Sequence, residues 1–199
     1  MSEVPRPVRE LAIALARLDG RLMAWRARAA LWRAAAEADG RLAWESPPEL
    51  ANGIRWRLGD TGRLHLGAGC RIGPEADFKV DGRLELGAGV LLGPRCILSV
   101  LEHVVLGPGC LVAEQVSIRD HDHRYRDPGV PIARQGYRIA PVHVGADVWL
   151  GAGAVVMPGV TLGDGCVVGA HAVVTRSHGA GSILVGAPAR CIGTRGGAS

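Results

Sequence analysis

Between Val144 and Val174 an aliphatic residue returns every six positions: Val144, Leu150, Val156, Leu162, Val168 and Val174. Glycine follows four of them, at Gly145, Gly151, Gly163 and Gly169. Upstream the spacing is twenty, with Leu66, Leu86 and Leu106 each followed by glycine. Ile72, Leu92 and Val112 hold the next phase, then Phe78, Leu98 and Ile118. Twenty is three hexads plus two residues, a slightly lengthened version of an eighteen-residue turn. Neither spacing suits a helix face or an antiparallel meander, and a fixed internal period outranks local propensity as a guide to architecture. A triangular coil explains both. Each side takes one hexad, the aliphatic residue points inward at each corner, and the neighbouring glycine permits the corner backbone. Stacked coils then satisfy their backbones through a parallel ladder.

Composition agrees. Aromatic residues make up only 4% of the 199, so the core has to be filled by many aliphatic side chains. Cys70, Cys96, Cys110 and Cys166 each follow a corner aliphatic by four positions, the phase that Val148, Ala154, Val160 and Ala172 also occupy. That phase wants a small buried residue, and cysteine behaves as a small hydrophobe there rather than as a nucleophile. Five cysteines without CxxC spacing indicate neither a disulfide framework nor a zinc site. The formal net charge of +4, with Lys79 the single lysine, is too small to argue for nucleic acid. No secretory signal and no apolar run of about 18 residues is visible, so the expected location is cytoplasmic.

The chain divides into a helical segment at 1–45, a linker or short strand at 46–63, the coil at 64–192 and a tail at 193–199. In the first, Val8, Leu11, Leu15, Leu18, Leu22, Trp25, Ala29, Trp32 and Ala36 alternate spacings of three and four, an amphipathic helical stripe. Arg17, Arg21, Arg26, Arg28 and Arg33 flank two tryptophans and raise a membrane-surface reading. Glu10, Asp19, Glu37 and Asp39 dilute that charge, and packing against protein is preferred.

The hexad rhythm fails once, between Arg119 and Pro141. The insertion, 119–141, holds both tyrosines of the chain, Tyr125 and Tyr137, and two of its seven histidines, His121 and His123, alternating with Asp120 and Asp122. A loop that interrupts a stiff repeat and concentrates titratable groups is a candidate site. In an extended segment residues two apart share a face, which would aim both imidazoles into one cleft. One imidazole acting as a general base on an acceptor hydroxyl is the first reading, a divalent metal site the second, and solvated loop residues the third.

Several segments are similar to a known family. Val144-Gly145-Ala146-Asp147-Val148-Trp149-Leu150-Gly151 resembles the "IGxxVWIG" segment of the hexapeptide-repeat acyltransferases, the group of galactoside, maltose and virginiamycin acetyltransferases. Pro158 to Gly165 resembles its "PGVTIGD" turn, while Val168 to Arg176 and Gly186 to Ile192 resemble its C-terminal signatures. The resemblance spans 64–192 and implies a left-handed parallel β-helix, a homotrimer, and acyl transfer from acyl-CoA, acetyl-CoA first, to a sugar or polysaccharide hydroxyl without a metal. The family base lies seven residues after a corner valine; counted from Val116 that is His123, with His121 as the alternative. Trp149 resembles the tryptophan beside the cofactor arm. Gly151, Ala152 and Ala170 resemble positions lining the pantetheine groove, and Thr175, Arg176 and Arg190 those near the nucleotide phosphates. Asp120, Asp122, Arg124 and Tyr125 fall where the acceptor would bind. Gly93-Pro94-Arg95-Cys96 lacks the asparagine of the galactoside enzymes, so their sugar contacts do not transfer. N-acylation of an amino sugar, a metal enzyme resembling the γ-carbonic anhydrases, and an inactive structural subunit are the competing readings.

Overall fold

The computed structural model describes residues 38–197 together with Ala29, Leu31 and Arg33. Three sheets wrap one column of inward side chains. The first face stacks Leu42–Trp44, Arg63–Leu66, Arg83–Leu86, His103–Leu106, Val142–Val144 and Thr161–Leu162. The second stacks Glu49–Leu50, Arg71–Ile72, Leu91–Leu92, Leu111–Val112, Trp149–Leu150, Val167–Val168 and Ser182–Val185, closed by the antiparallel Arg190–Thr194. The third stacks Arg55–Leu58, Asp77–Val80, Ile97–Val100, Ser117–Arg119, Val155–Val156 and Val173–Val174. Apart from that closing strand, every ladder on the three faces is parallel.

The residues picked out by period line the core. Leu66, Ile72 and Phe78, and their counterparts one coil on, Leu86, Leu92 and Leu98, are all buried. The two extra residues of the longer turns lengthen the third face, whose strands run four residues at Asp77–Val80 but two at Val155–Val156. Each longer strand contributes one more inward side chain, Val80 or Val100. Glycine beside the corner residue is there because backbones close in: a Cβ on Gly107 would lie 2.6 Å from the carbonyl carbon of Gly145.

Two expectations need revision at the N-terminal end. Residues 46–63 carry the short strands Glu49–Leu50 and Arg55–Leu58, and these belong to the coil, which begins at Leu42 rather than at 64, since Leu42, Leu50 and Trp56 pair with Leu64, Ile72 and Phe78. This first coil is hard to see because its spacing is twenty-two and its inward residues Trp44, Leu50, Trp56 and Leu58 are only half-buried. Trp56 stacks on Phe78 with ring centroids 4.6 Å apart. The helical stripe from Val8 to Ala36 falls outside the described residues, save that Ala29, Leu31 and Arg33 are helical and Leu31 is buried, whereas Leu42–Trp44, expected to be helical, is a strand. No helix among the described residues is long and apolar enough to cross a membrane.

Cys70, Cys96, Cys110 and Cys166 are buried in the column, each thiol donating to a carbonyl oxygen of the next coil. Burial pushes all four thiols up, Cys96 to about 11. Cys191 alone is exposed. We therefore expect an aromatic disulfide reagent at pH 8 to titrate one thiol per folded chain and five after unfolding. Two fast thiols in the native state would contradict this core.

Candidate active site

The insertion leaves the coil at the corner between the third and first faces. Val104 pairs with Val142 across a separation of 38, so an eighteen-residue excursion rides on a twenty-residue turn. Its base is Asp120. Counting twenty from Val80 and Val100 reaches this residue, so an aspartate stands where the stack otherwise holds valine, and it has no exposed surface. Its carboxylate is fully occupied. Oδ1 accepts from the backbone N–H of Leu101 at 2.9 Å, and Oδ2 from those of Glu102 and His103 at 2.7 and 2.9 Å. Three donors from one corner offset the cost of burying the charge. The Asp120 carbonyl also accepts the Ala140 N–H at 2.8 Å, pinning the two ends of the insertion together.

The same carboxylate holds His121. Oδ1 of Asp120 is 2.9 Å from Nδ1 of His121, whose side chain is 16% exposed. An ionised carboxylate only accepts, so Nδ1 carries the hydrogen and the neutral ring keeps its lone pair on Nε2. A buried carboxylate thus orients a partly exposed imidazole.

His121–His123 and Tyr137–Ile139 then form an antiparallel hairpin, pairing His121 with Ile139, Asp122 with Arg138 and His123 with Tyr137. Cross-strand partners share a face, so His121, His123, Tyr137 and Ile139 project from one side and Asp122 and Arg138 from the other. Tyr137 touches both imidazoles: its ring meets His121 edge-on at 5.3 Å and lies tilted against His123 at 4.6 Å. The far end of the hairpin is tied by Gln135, whose amide donates to the carbonyls of Asp127 and Val130, both at 2.8 Å. The loop is an ordered platform.

The expected acceptor residues fare differently. Asp120 is not available to an acceptor, because it is buried with both oxygens used; it positions His121 instead. Arg124 donates through Nε to the Tyr137 carbonyl at 3.0 Å and so straps the hairpin. Asp122 is half-buried and Tyr125 is 66% exposed. His123 is exposed, with ring contact to Tyr137 only. Tyr137, placed in the insertion by the sequence without a role, faces both histidines across the hairpin.

The expected cofactor residues occupy two edges of the prism. Trp149 lies on the outer side of the second face, 52% exposed and in register with Leu111 and Val167. Gly151, Ala152 and Ala170 line the adjoining corner between the second and third faces; a Cβ on Gly151 would sit 2.7 Å from the Ala170 nitrogen. Thr175 and Arg176 are exposed just beyond Val174, on the edge that carries the hairpin, and Arg190 is exposed on the last strand. One chain therefore does not bring the hairpin and the Trp149–Ala170 corner onto a common edge. Among the described residues no group of three or more His, Cys, Asp or Glu is placed to hold a metal ion.

Residues 141–176 match the bacterial transferase hexapeptide family of six repeats. That segment carries the six-residue repeat of this family. Over 66 residues the chain is 46% identical to a probable acetyltransferase of Mycobacterium tuberculosis, covering 33% of this chain and 22% of that one. Over 52 residues it is 46% identical to a putative acetyltransferase of Schizosaccharomyces pombe, covering 26% and 25%. It thus spans about a quarter of the length of these curated relatives. Its fold is that of galactoside acetyltransferase in complex with coenzyme A, with a TM-score of 0.60 at 18% identity over 98% of this chain and 85% of that chain. It is likewise that of AntD, an N-acyltransferase from Bacillus cereus in complex with dTDP and 3-hydroxybutyryl-CoA, with a TM-score of 0.66 at 18% identity over 77% and 82%.

Proposed function

We propose that this hexapeptide-repeat protein is a coenzyme-A-dependent O-acyltransferase whose general base is His121. The buried Asp120 carboxylate at 2.9 Å from Nδ1 carries this reading, since it gives His121 a defined tautomer and a free Nε2, whereas among the described residues His123 has no such partner. Nε2 takes the proton of an acceptor hydroxyl as its oxygen bonds to the thioester carbonyl carbon. The carbon–sulfur bond then breaks, the imidazolium returns the proton to the leaving thiolate, and an ester and free coenzyme A result. Asp120 stabilises the transient imidazolium throughout. The base moves from His123, favoured by counting along the family pattern, to its neighbour two residues earlier.

The coil is left-handed and the active unit a homotrimer in this reading. The separation of the hairpin from the Trp149, Gly151, Ala152 and Ala170 corner supports the latter, because a neighbouring copy can supply the missing half of a cleft. Acetyl-CoA bound along that corner would meet Arg190 with its phosphates, while Arg176, on the hairpin edge, would reach them from the neighbouring copy. The names of the relatives support acetyl transfer, and those of the fold neighbours support coenzyme A. N-acylation of an amino sugar uses the same geometry with nitrogen in place of oxygen. The test is thiol release from acetyl-, succinyl- and 3-hydroxybutyryl-CoA, each offered hexoses and amino hexoses. Release that depends on a hydroxyl acceptor is expected. Release with amino sugars alone would replace O- by N-transfer, and neither release nor coenzyme A binding by calorimetry would overturn the reading.

A further inference from the structure

The outer side of the third face carries a row of residues that the acyl-transfer chemistry does not use. Arg57 pairs with Lys79, Lys79 with Ser99 and Ser99 with Arg119, rung upon rung. Parallel neighbours lie about 4.8 Å apart, so Ser99 sits between two cations whose backbones are about 10 Å from one another. Lys79 and Arg119 are exposed and have no carboxylate partner among the described residues. Arg119 donates to the Ser117 hydroxyl at 3.0 Å, which directs its guanidinium along the face.

The surroundings sharpen the charge. Beside the row, buried Asp77 is bound by both Arg55 and Arg57, so one carboxylate faces four cations across Arg55, Arg57, Lys79 and Arg119. On the first face, by contrast, Arg83 and His103 are both held by Glu85 at 2.9 and 2.8 Å. That contact draws the Glu85 carboxyl below its ordinary range. The outward column of the second face is largely apolar: Leu91, Leu111, Trp149, Val167 and Ile183. Asp60, Asp81 and Glu102 stand on the turns past the third face and bound the strip on that side.

Position gives the row its meaning. Arg119 ends the strand and His121 lies two residues on, past the bend at Asp120 and so within about 7 Å of it along the backbone. We infer that Lys79, Ser99 and Arg119 form a phosphoryl-binding site beside the base, and that the acceptor is a phosphate-bearing sugar, either a sugar phosphate or a nucleoside-diphosphate sugar. The chemistry suits phosphoryl oxygens: a planar guanidinium for two of them, a hydroxyl for a third, and an ammonium as point charge. The inference rests on the acyl-transfer reading for its substrate but not for its binding site.

The experiment separates the two. Full-length protein is titrated with inorganic pyrophosphate by calorimetry, and thiol release from acetyl-CoA is measured with glucose, glucose 1-phosphate and dTDP-glucose. Wild type is compared with Lys79→Gln, Arg119→Gln and the double variant, none of which breaks a structural ion pair. Pyrophosphate is expected to bind wild type and to lose about tenfold or more in the double variant, with binding weakened by added salt. The preference for a phosphorylated acceptor over glucose is expected to fall by a similar factor, mainly through KM. Glucose 1-phosphate and dTDP-glucose distinguish a lone phosphate from a diphosphate as the source. Equal pyrophosphate binding by wild type and double variant, or equal use of glucose and its phosphorylated forms, overturns the site. Thiol release from no acceptor sinks the acyl-transfer reading and leaves the calorimetry to judge this one.

Discussion

Replacing His121 with alanine is expected to lower kcat for acyl transfer by about two to four orders of magnitude, the usual worth of a positioned general base. Coenzyme A binding, read by calorimetry, is expected to stay within about twofold, because the cofactor corner lies on another edge of the prism. His123→Ala is expected to cost less than about tenfold, since this imidazole is exposed and contributes a ring contact with Tyr137 rather than an oriented nitrogen. The contrast between the two variants is the informative quantity. An active His121→Ala beside an inactive His123→Ala would return the base to the outer histidine and reduce Asp120 to a structural role.

The second large effect belongs to Asp120, where stability and turnover should fall together. Asp120→Ala leaves the N–H groups of Leu101, Glu102 and His103 without the acceptor that a fully buried carboxylate gives them. A loss of about 3–5 kcal/mol follows from removing one side of a buried charged network, enough to lower Tm by roughly 10 °C in a chain of this size. Asp120→Asn retains the volume and one acceptor oxygen, so it should recover much of the stability. Its NH2 group cannot accept, which leaves either a backbone N–H or the His121 Nδ1–H facing a donor. For Asp120→Asn we expect kcat to fall about a hundredfold or more, with KM for acetyl-CoA little changed. Full activity in a stable Asp120→Asn protein would show that the carboxylate does not orient the base.

Much of the prism was legible because a short period leaves a mark at every turn. Leu66, Leu86 and Leu106 could be picked by counting, and all three are buried. Counting also placed the cysteines in the interior. It failed at the first coil, where a spacing of twenty-two and the bulky Trp44 and Trp56 disguise the repeat. The candidate site was half legible. His121 and His123 stood out by type and position, yet the same arithmetic that found the core leads from Val80 and Val100 to Asp120 and marks it as an inward carboxylate. Read as a loop residue, Asp120 looked like an acceptor ligand; read in phase, it is the buried partner of a base. The antiparallel pairing of His121–His123 with Tyr137–Ile139 left no comparable mark, because thirteen residues separate two three-residue strands.

Because Val104 and Val142 stay partners although the hairpin is spliced between them, the rod keeps its pitch whatever projects at that corner. The hairpin is thus mechanically uncoupled from the scaffold. Its tip, from Arg124 to Gly136, can lengthen, shorten or change composition under selection for a new acceptor, while Asp120 and Ala140 keep its root stapled in place. Such a division lets a lineage diversify what it modifies without renegotiating how it folds.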